Sequence, residues 1–230
     1  MANLMPSFLN ISLLTKSVLN KSLFRTRALV DQTTEDFIFS TVAWALHNFD
    51  HNEFLQRTRL VEPTNEFFPG RVNSVDEKAQ NLFQHTLRYS GLSHWPFELK
   101  SMIEYELNSE CQLQPQPELE YVHRNSAIEL PVPIIMTEQP LFIFYNPQQT
   151  LKPEDLSASY AHVIAQHLMI QKGLLPPGGN RFFAEASEIL ASIMGFGVLL
   201  SNSAYTFRGG CGSCYNAMAN RQPALTELDN

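Results

Sequence analysis

Apolar residues recur every three or four positions in the first third of the chain, which is the spacing of helices with one buried face. This pattern predicts three helices, over 34–51, 54–60 and 74–89. Ser74 stands where it can cap the third helix, and Glu77 follows three residues later, as in a capping box. We expect one face of the first helix to lie in the core.

The middle of the chain changes to alternating and short apolar runs, which are typical of strands. Strands are predicted over 95–105, 119–123, 127–135 and 140–145. Pro131 and Pro133 favour an edge position for the strand that contains them, because proline cannot donate a ladder hydrogen bond. The run 140–145 gives the clearest prediction of a strand.

Two long helices are predicted in the last third of the chain, over 153–172 and 181–200. Gly173 stops the first, and the second becomes almost wholly apolar, so its later turns should be buried. The order of elements predicts an α+β fold, with a small, mostly antiparallel sheet packed on a central helix and a second long C-terminal helix. We expect one domain over 31–230 after an N-terminal arm over 1–30.

Composition excludes several classes of protein. The 230 residues are 44% hydrophobic and 17% charged, as in ordinary globular domains. The net charge of -7 argues against nucleic acid as the main partner, because binding phosphates needs clustered Lys and Arg. No uninterrupted apolar run reaches the roughly 18 residues of a membrane span. Three cysteines do not make a disulfide scaffold, so we expect a reducing, cytoplasmic location.

The first 30 residues contain no acid and carry four basic residues: Lys16, Lys21, Arg25 and Arg27. A targeting segment can have this composition. The segment lacks a compact apolar core followed by small-residue cleavage signals, so an amphipathic arm that packs on the domain is the preferred interpretation.

The stretch 159–168 in the central helix is similar to the metal-binding helix of zincin peptidases. Their His-Glu-x-x-His pattern places two zinc-binding histidines one turn apart and a glutamate that acts as general base. Here His162 stands at the first histidine position. Val163 replaces the glutamate, Gln166 replaces the second histidine, and His167 lies one residue too far along.

With these elements placed, the chain resembles a family of uncharacterised bacterial zincin-like proteins. Four stretches carry the resemblance, in the family's order: the helix around Trp44 with the loop 63–69, the strand 142–145, the segment 161–166 and the segment 185–198. The resemblance implies a twisted sheet, a metal-binding helix beneath it and a second helix that supplies an acidic third ligand to zinc. It assigns His162 to the first ligand and Glu188 to the third.

The residues at the ligand positions argue against a working zinc site. Catalytic zinc normally has three protein ligands and a water, whereas Gln166 offers only a neutral amide oxygen. His167 points about 140° away from His162 around the helix, and we expect it at the surface or rim. Val163 cannot accept a proton. We therefore predict no catalytic residue and no cofactor, and expect His162 and Glu188 to form a buried hydrogen-bonded pair.

Cys211 and Cys214 form a second candidate site, for redox chemistry or metal sensing. A structural zinc would need two more ligands nearby, and none follows. A redox pair usually lies at a helix N-terminus after a strand, whereas Gly209 and Gly210 precede this one in a predicted loop. A glycine-rich turn with two semi-buried thiols is the simpler interpretation.

Three functions follow from these observations. The first is a catalytically degenerate zincin-like domain that binds or scaffolds, with a protein or peptide added at the sheet edge in 134–145. The second is a divergent metal-dependent hydrolase that uses His162 and Glu188 with zinc. The third is a thiol redox or metal-sensing protein that acts through Cys211 and Cys214.

Overall fold

The computed structural model describes residues 30–102, 140–204, 221 and 223–225. The chain divides into two compact units, Met1–Asp31 and Gln32–Asn230. Almost all described residues belong to the second unit. The predicted arm 1–30 lies outside the described residues except for Val30, and so do the predicted strands 119–123 and 127–135.

Three helices form the first part of the larger unit: α1 (Gln32–Asn48), α2 (His51–Arg57) and α3 (Val75–Ser90). Helix α2 begins three residues earlier than predicted, because the Asp50 side chain accepts hydrogen bonds from the backbone of Asn52 and Glu53. Residue 50 was predicted to lie inside the preceding helix, and its role as a cap separates the two.

The predicted N-terminus of α3 is confirmed, with one difference in its cap. The Ser74 hydroxyl accepts a hydrogen bond from the Glu77 backbone at 3.0 Å. The Glu77 carboxylate accepts from the backbone of Asn73 at 2.8 Å instead of from that of Ser74. Two otherwise unpaired donors are therefore satisfied, although the capping box is not closed in its usual form. The helix ends at Gly91, whose φ is 74°.

The described sheet consists of two parallel strands, β1 (Phe97–Ser101) and β2 (Leu141–Tyr145). Phe97 lies opposite Leu141, and Ser101 lies opposite Tyr145. The predicted mostly antiparallel sheet is wrong for these strands. Alternation reveals which residues face the core but carries no information on strand direction, and the segment 102–140 is long enough for the crossover that parallel pairing requires. The coarser α+β class is confirmed.

The central helix α4 (Pro153–Lys172) has the predicted bounds and ends at Gly173, whose φ is 63°. It packs against α3, the sheet and the last two helices. Tyr160, at its middle, meets the ring of Phe83 edge-on at 5.4 Å between centroids. Several faces of α4 are therefore buried, and α4 lies at the centre of the core.

The predicted last helix, 181–200, is interrupted. A 3₁₀ turn (Gly179–Phe182) leads into α5 (Phe183–Ala191), a π-helical turn (Ser192–Phe196) and α6 (Gly197–Ala204). Gly195 has a φ of 104°, and its carbonyl accepts a hydrogen bond from Val61 at 2.8 Å. The loop before α3 thus approaches the helix backbone directly, which only a residue without a side chain permits.

The segment Gly179–Ala204 is long and apolar enough, with a mean hydropathy of 1.6 in its most apolar window, to match the dimensions of a membrane span. From the sequence we predicted no membrane span, because Gly195 and Gly197 interrupt the longest apolar run. In the structure 61% of that window is buried against the rest of the chain, and a core helix of a globular domain meets the same criteria.

Candidate functional site

The His162 side chain lies between helices α4 and α5 and is held by three polar neighbours. Its Nε2 atom lies 2.8 Å from the Ser187 hydroxyl, 3.1 Å from the Ala184 carbonyl and 3.3 Å from the Gln166 amide nitrogen. His162 and Gln166 are one turn apart on α4, as the spacing predicts. The ring is half-buried, and the nitrogen that would bind a metal faces α5.

Few protons are available for the hydrogen bonds around Nε2 of His162. The Ser187 hydroxyl has one proton and two acceptors within reach, the Ala184 carbonyl at 2.8 Å and the imidazole of His162. An unprotonated Nε2 accepts from Ser187 or from the Gln166 amide, whereas a protonated Nε2 donates to the Ala184 carbonyl. In either tautomer this nitrogen is engaged inside the protein, and a zinc ion would have to displace these hydrogen bonds.

His162 is neutral at physiological pH. Burial, and secondarily the positive charge of Arg221, lower the pKa of His162 to about 4, although the hydrogen bond with the Ala184 carbonyl acts in the opposite direction. A neutral imidazole beside a serine resembles a nucleophile and its base. Ser187 is 0% exposed, however, so its oxygen cannot reach a substrate. This geometry supports a structural role for the pair.

Glu188 follows Ser187 on α5 and is 0% exposed. Its carboxylate forms an ion pair with the guanidinium of Arg221 and accepts a hydrogen bond from the Leu225 backbone at 2.5 Å. Among the described residues these are its partners outside its own helix, and none of its hydrogen bonds reaches His162. The expected pairing of His162 with Glu188 is therefore wrong. A buried carboxylate is stabilised far better by a cation than by a neutral imidazole, and Arg221 provides that cation.

Arg221 connects Glu188 to two other helices, α6 and α4. Its Nη1 donates to the Ser203 hydroxyl at 3.2 Å, and its backbone nitrogen donates to the Asp155 carboxylate at 3.3 Å. Burial lowers the pKa of Arg221 to about 10, which still leaves the guanidinium charged at neutral pH. Sequence reasoning missed Arg221 because it is an isolated basic residue in a tail without periodicity. It missed Ser187 because serines are common on helix faces.

His167 is buried, not at the surface or rim as predicted. It is 8% exposed, its ring meets Phe97 edge-on at 5.4 Å, and it forms a hydrogen bond with the backbone of Phe142. The prediction failed because it treated α4 as a helix with one buried face, whereas the sheet covers this second face. Burial lowers the pKa of His167 to about 4.

The two neutral histidines predict a loss of stability in acid. In the unfolded chain they titrate near 6.5, whereas in the folded protein His162 and His167 titrate near 4. Between pH 4 and pH 6.5 the unfolded state binds more protons than the folded state. The contribution of the two histidines to stability is therefore fully present above pH 6.5 and is lost as the pH drops towards 4. For His167 we expect about 1.4 kcal/mol per pH unit in this window.

Urea unfolding at several pH values between 7.5 and 4 measures this slope. The matched variant His167→Gln, which cannot titrate, should show a shallower slope with the same plateau above pH 7. Equal slopes in the two proteins would show that His167 does not contribute.

The residues around His162 and Glu188 do not fit zinc. The Glu188 carboxylate contacts a guanidinium, and Nε2 of His162 is held by α5 and Gln166. No cluster of three or more potential metal-binding side chains occurs within residues 30–102, 140–204, 221 and 223–225. Val163, at the position of the zincin base, packs on the core. Cys211 and Cys214 lie outside the described residues, as does 134–139 of the predicted peptide-binding edge.

Comparisons of the chain with protein-family models, with curated proteins and with solved structures find no match. The resemblance to zincin-like proteins therefore depends only on the order and spacing of the short motifs in the sequence.

Proposed function

We propose that this chain is a catalytically inactive zincin-like domain that acts by binding and not by hydrolysis. The observation that carries the proposal is the buried ion pair of Glu188 with Arg221. In a zincin this carboxylate would face a metal cation. Here a guanidinium of the same chain supplies the positive charge, and the metal is no longer needed to balance the buried carboxylate.

The environment of His162 supports the same proposal. Its Nε2 atom is engaged by Ser187 and Gln166, and the following residue, Val163, cannot remove a proton from water. A hydrolase would need a ligand set, a base and an accessible cleft at the same place. The residues around His162 supply a packed contact between two helices.

The two alternatives place different demands on the chain. A divergent hydrolase that uses His162 and Glu188 would require the Glu188 carboxylate to leave Arg221 before it could bind zinc. A redox or metal-sensing role would act through Cys211 and Cys214 and stays a prediction. Peptide binding at a sheet edge also stays a prediction, because only 140–145 of the segment 134–145 is described.

Metal content tests the proposal. We expect the purified protein, dialysed after exposure to equimolar Zn²⁺, to retain far less than one equivalent of zinc by mass spectrometry. Zn²⁺ and EDTA should leave its melting temperature unchanged, because a ligand that binds the folded state would raise it.

Three variants separate the alternatives. One equivalent of zinc that is lost in both His162→Ala and Glu188→Gln would contradict the proposal and support the hydrolase. Zinc that is lost only when Cys211 and Cys214 are both replaced by serine would support the metal-sensing alternative instead.

A further inference from the structure

A cavity of about 300 Å³ lies where the loop 63–72 and α3 meet the first turn of α4. Its apolar wall is formed by Phe68, Leu82 and Leu199. Its volume is at the lower end of the range for small-molecule sites in proteins. None of the residues discussed around His162 lines it, so it is a separate site.

Two residues of opposite charge, Lys78 and Glu154, line this cavity and do not form an ion pair with each other. The ammonium of Lys78 has no ion-pair partner in the part of the chain that the structure describes, and the side chain is half-buried. The Glu154 carboxylate, also half-buried, accepts a hydrogen bond from the Asn202 amide at 2.5 Å and pairs with no cation among the described residues. Half-buried charges without an ion-pair partner favour the binding of a ligand that carries the opposite charges.

The loop that closes the cavity is held in place before any ligand arrives. The Tyr89 hydroxyl donates to the Phe67 carbonyl at 2.7 Å, and the rings of Phe67 and Phe68 both meet Tyr89 edge-on. The Asn81 amide donates to the Pro69 carbonyl at 3.3 Å. A preformed wall lowers the entropic cost of binding, because the loop does not have to be ordered by the ligand.

We propose that this cavity binds a small zwitterion with an apolar side chain, that is, a free amino acid of the leucine or phenylalanine class. Lys78 pairs with the ligand carboxylate and Glu154 with its ammonium group, while the side chain packs on Phe68, Leu82 and Leu199. A simple anion would be repelled by the Glu154 carboxylate, and a simple cation would be repelled by the Lys78 ammonium. An uncharged apolar molecule would leave both charges desolvated and unpaired.

This inference deepens the binding role proposed above, but it depends on different residues. Zinc retention tests His162 and Glu188, whereas amino-acid binding tests Lys78 and Glu154. Failure of one experiment therefore leaves the result of the other unchanged.

Isothermal titration of the full chain with L-phenylalanine and L-leucine is the test. We expect saturable binding with a Kd of about 1 mM or tighter for at least one of them. Two analogues each lack one charge: 3-phenylpropionate has no ammonium group and phenethylamine has no carboxylate. Each should bind at least about tenfold more weakly than phenylalanine, because one half-buried charge is then left without a partner.

Charge-specific variants complete the design. Lys78→Met should weaken phenylalanine binding at least about tenfold and should not weaken phenethylamine binding, because that cation loses only the repulsion by Lys78. Glu154→Gln, which keeps an acceptor for Asn202, should weaken phenylalanine binding and should not weaken 3-phenylpropionate binding. Lys100→Met, on β1 and outside the cavity, is the matched control. The proposal is overturned if neither amino acid gives a saturable signal, or if the two analogues bind as tightly as phenylalanine.

Discussion

Replacing Arg221 with alanine is expected to lower the free energy of unfolding by about 3–5 kcal/mol, the usual cost of leaving a buried charge without its partner. Glu188 is 0% exposed, and its carboxylate would keep only the Leu225 backbone and water that enters the space left by the guanidinium. Urea unfolding at pH 7.5 measures the loss. A cost below about 1 kcal/mol would show that Glu188 finds solvent without Arg221.

Three further variants separate charge from packing. Glu188→Gln combined with Arg221→Met should recover much of the loss, because replacing both members of a buried pair is often close to neutral. Arg221→Lys should retain part of the stability, since it keeps the charge but not the planar donors. Arg181→Ala removes an exposed arginine that stacks on Phe182 and should change stability by less than about 0.5 kcal/mol.

The pH dependence of the alanine variant gives an independent signature. Without Arg221, burial raises the pKa of the Glu188 carboxyl above that of the unfolded chain. The folded state then binds the proton more tightly, so the variant should regain stability relative to the original protein as the pH falls towards 5. A constant difference between the two proteins from pH 7.5 to 5 would contradict this account.

Gly195→Ala is expected to be nearly as damaging, with a loss of about 3 kcal/mol or more from backbone strain and a direct clash. Gly195 has a φ of 104°, a value that residues with a side chain rarely adopt. A Cβ atom there would lie 2.2 Å from the Arg59 carbonyl oxygen. The loop would have to move, and the hydrogen bond from Val61 to the Gly195 carbonyl would be lost with it.

Gly197→Ala is the matched control for this second prediction. Gly197 has a helical φ of -54°, and the nearest atom to its added Cβ is 3.8 Å away, on Ser192. Alanine there should be neutral or stabilising by up to about 1 kcal/mol, because it favours the helix. Equal losses in the two variants, measured by urea unfolding, would refute the role assigned to the Gly195 conformation.

The sequence predicted best those elements whose signals are local. Helix α4 has its predicted bounds because Pro153 and Gly173 mark both ends, and α3 begins after Ser74 as its capping residue indicates. The strand direction was predicted wrongly, and the π-helical turn at Gly195 was not predicted. Both depend on contacts between distant parts of the chain, such as that of Val61 with Gly195, and no local pattern encodes them.

The candidate site divides in the same way. The placement of His162 and Gln166 on one face follows from helix geometry and is seen in the structure. The partner of Glu188 does not follow, because Arg221 lies beyond α6 in the chain, in a stretch of sequence with no periodic pattern. A general physical argument alone indicated that such a partner exists: a carboxylate on an apolar helix requires a cation somewhere in the fold.

The ion pair of Glu188 with Arg221 also affects the order in which the protein can fold during synthesis. Chains are made from the N-terminus, so α5 leaves the ribosome before Arg221 does. Until then α5 can pack fully against α4 only if the Glu188 carboxyl stays protonated or remains in water. We therefore expect α4 and α5 to associate loosely at first. The core around the ionised Glu188 carboxylate should pack fully only after Arg221 has been added.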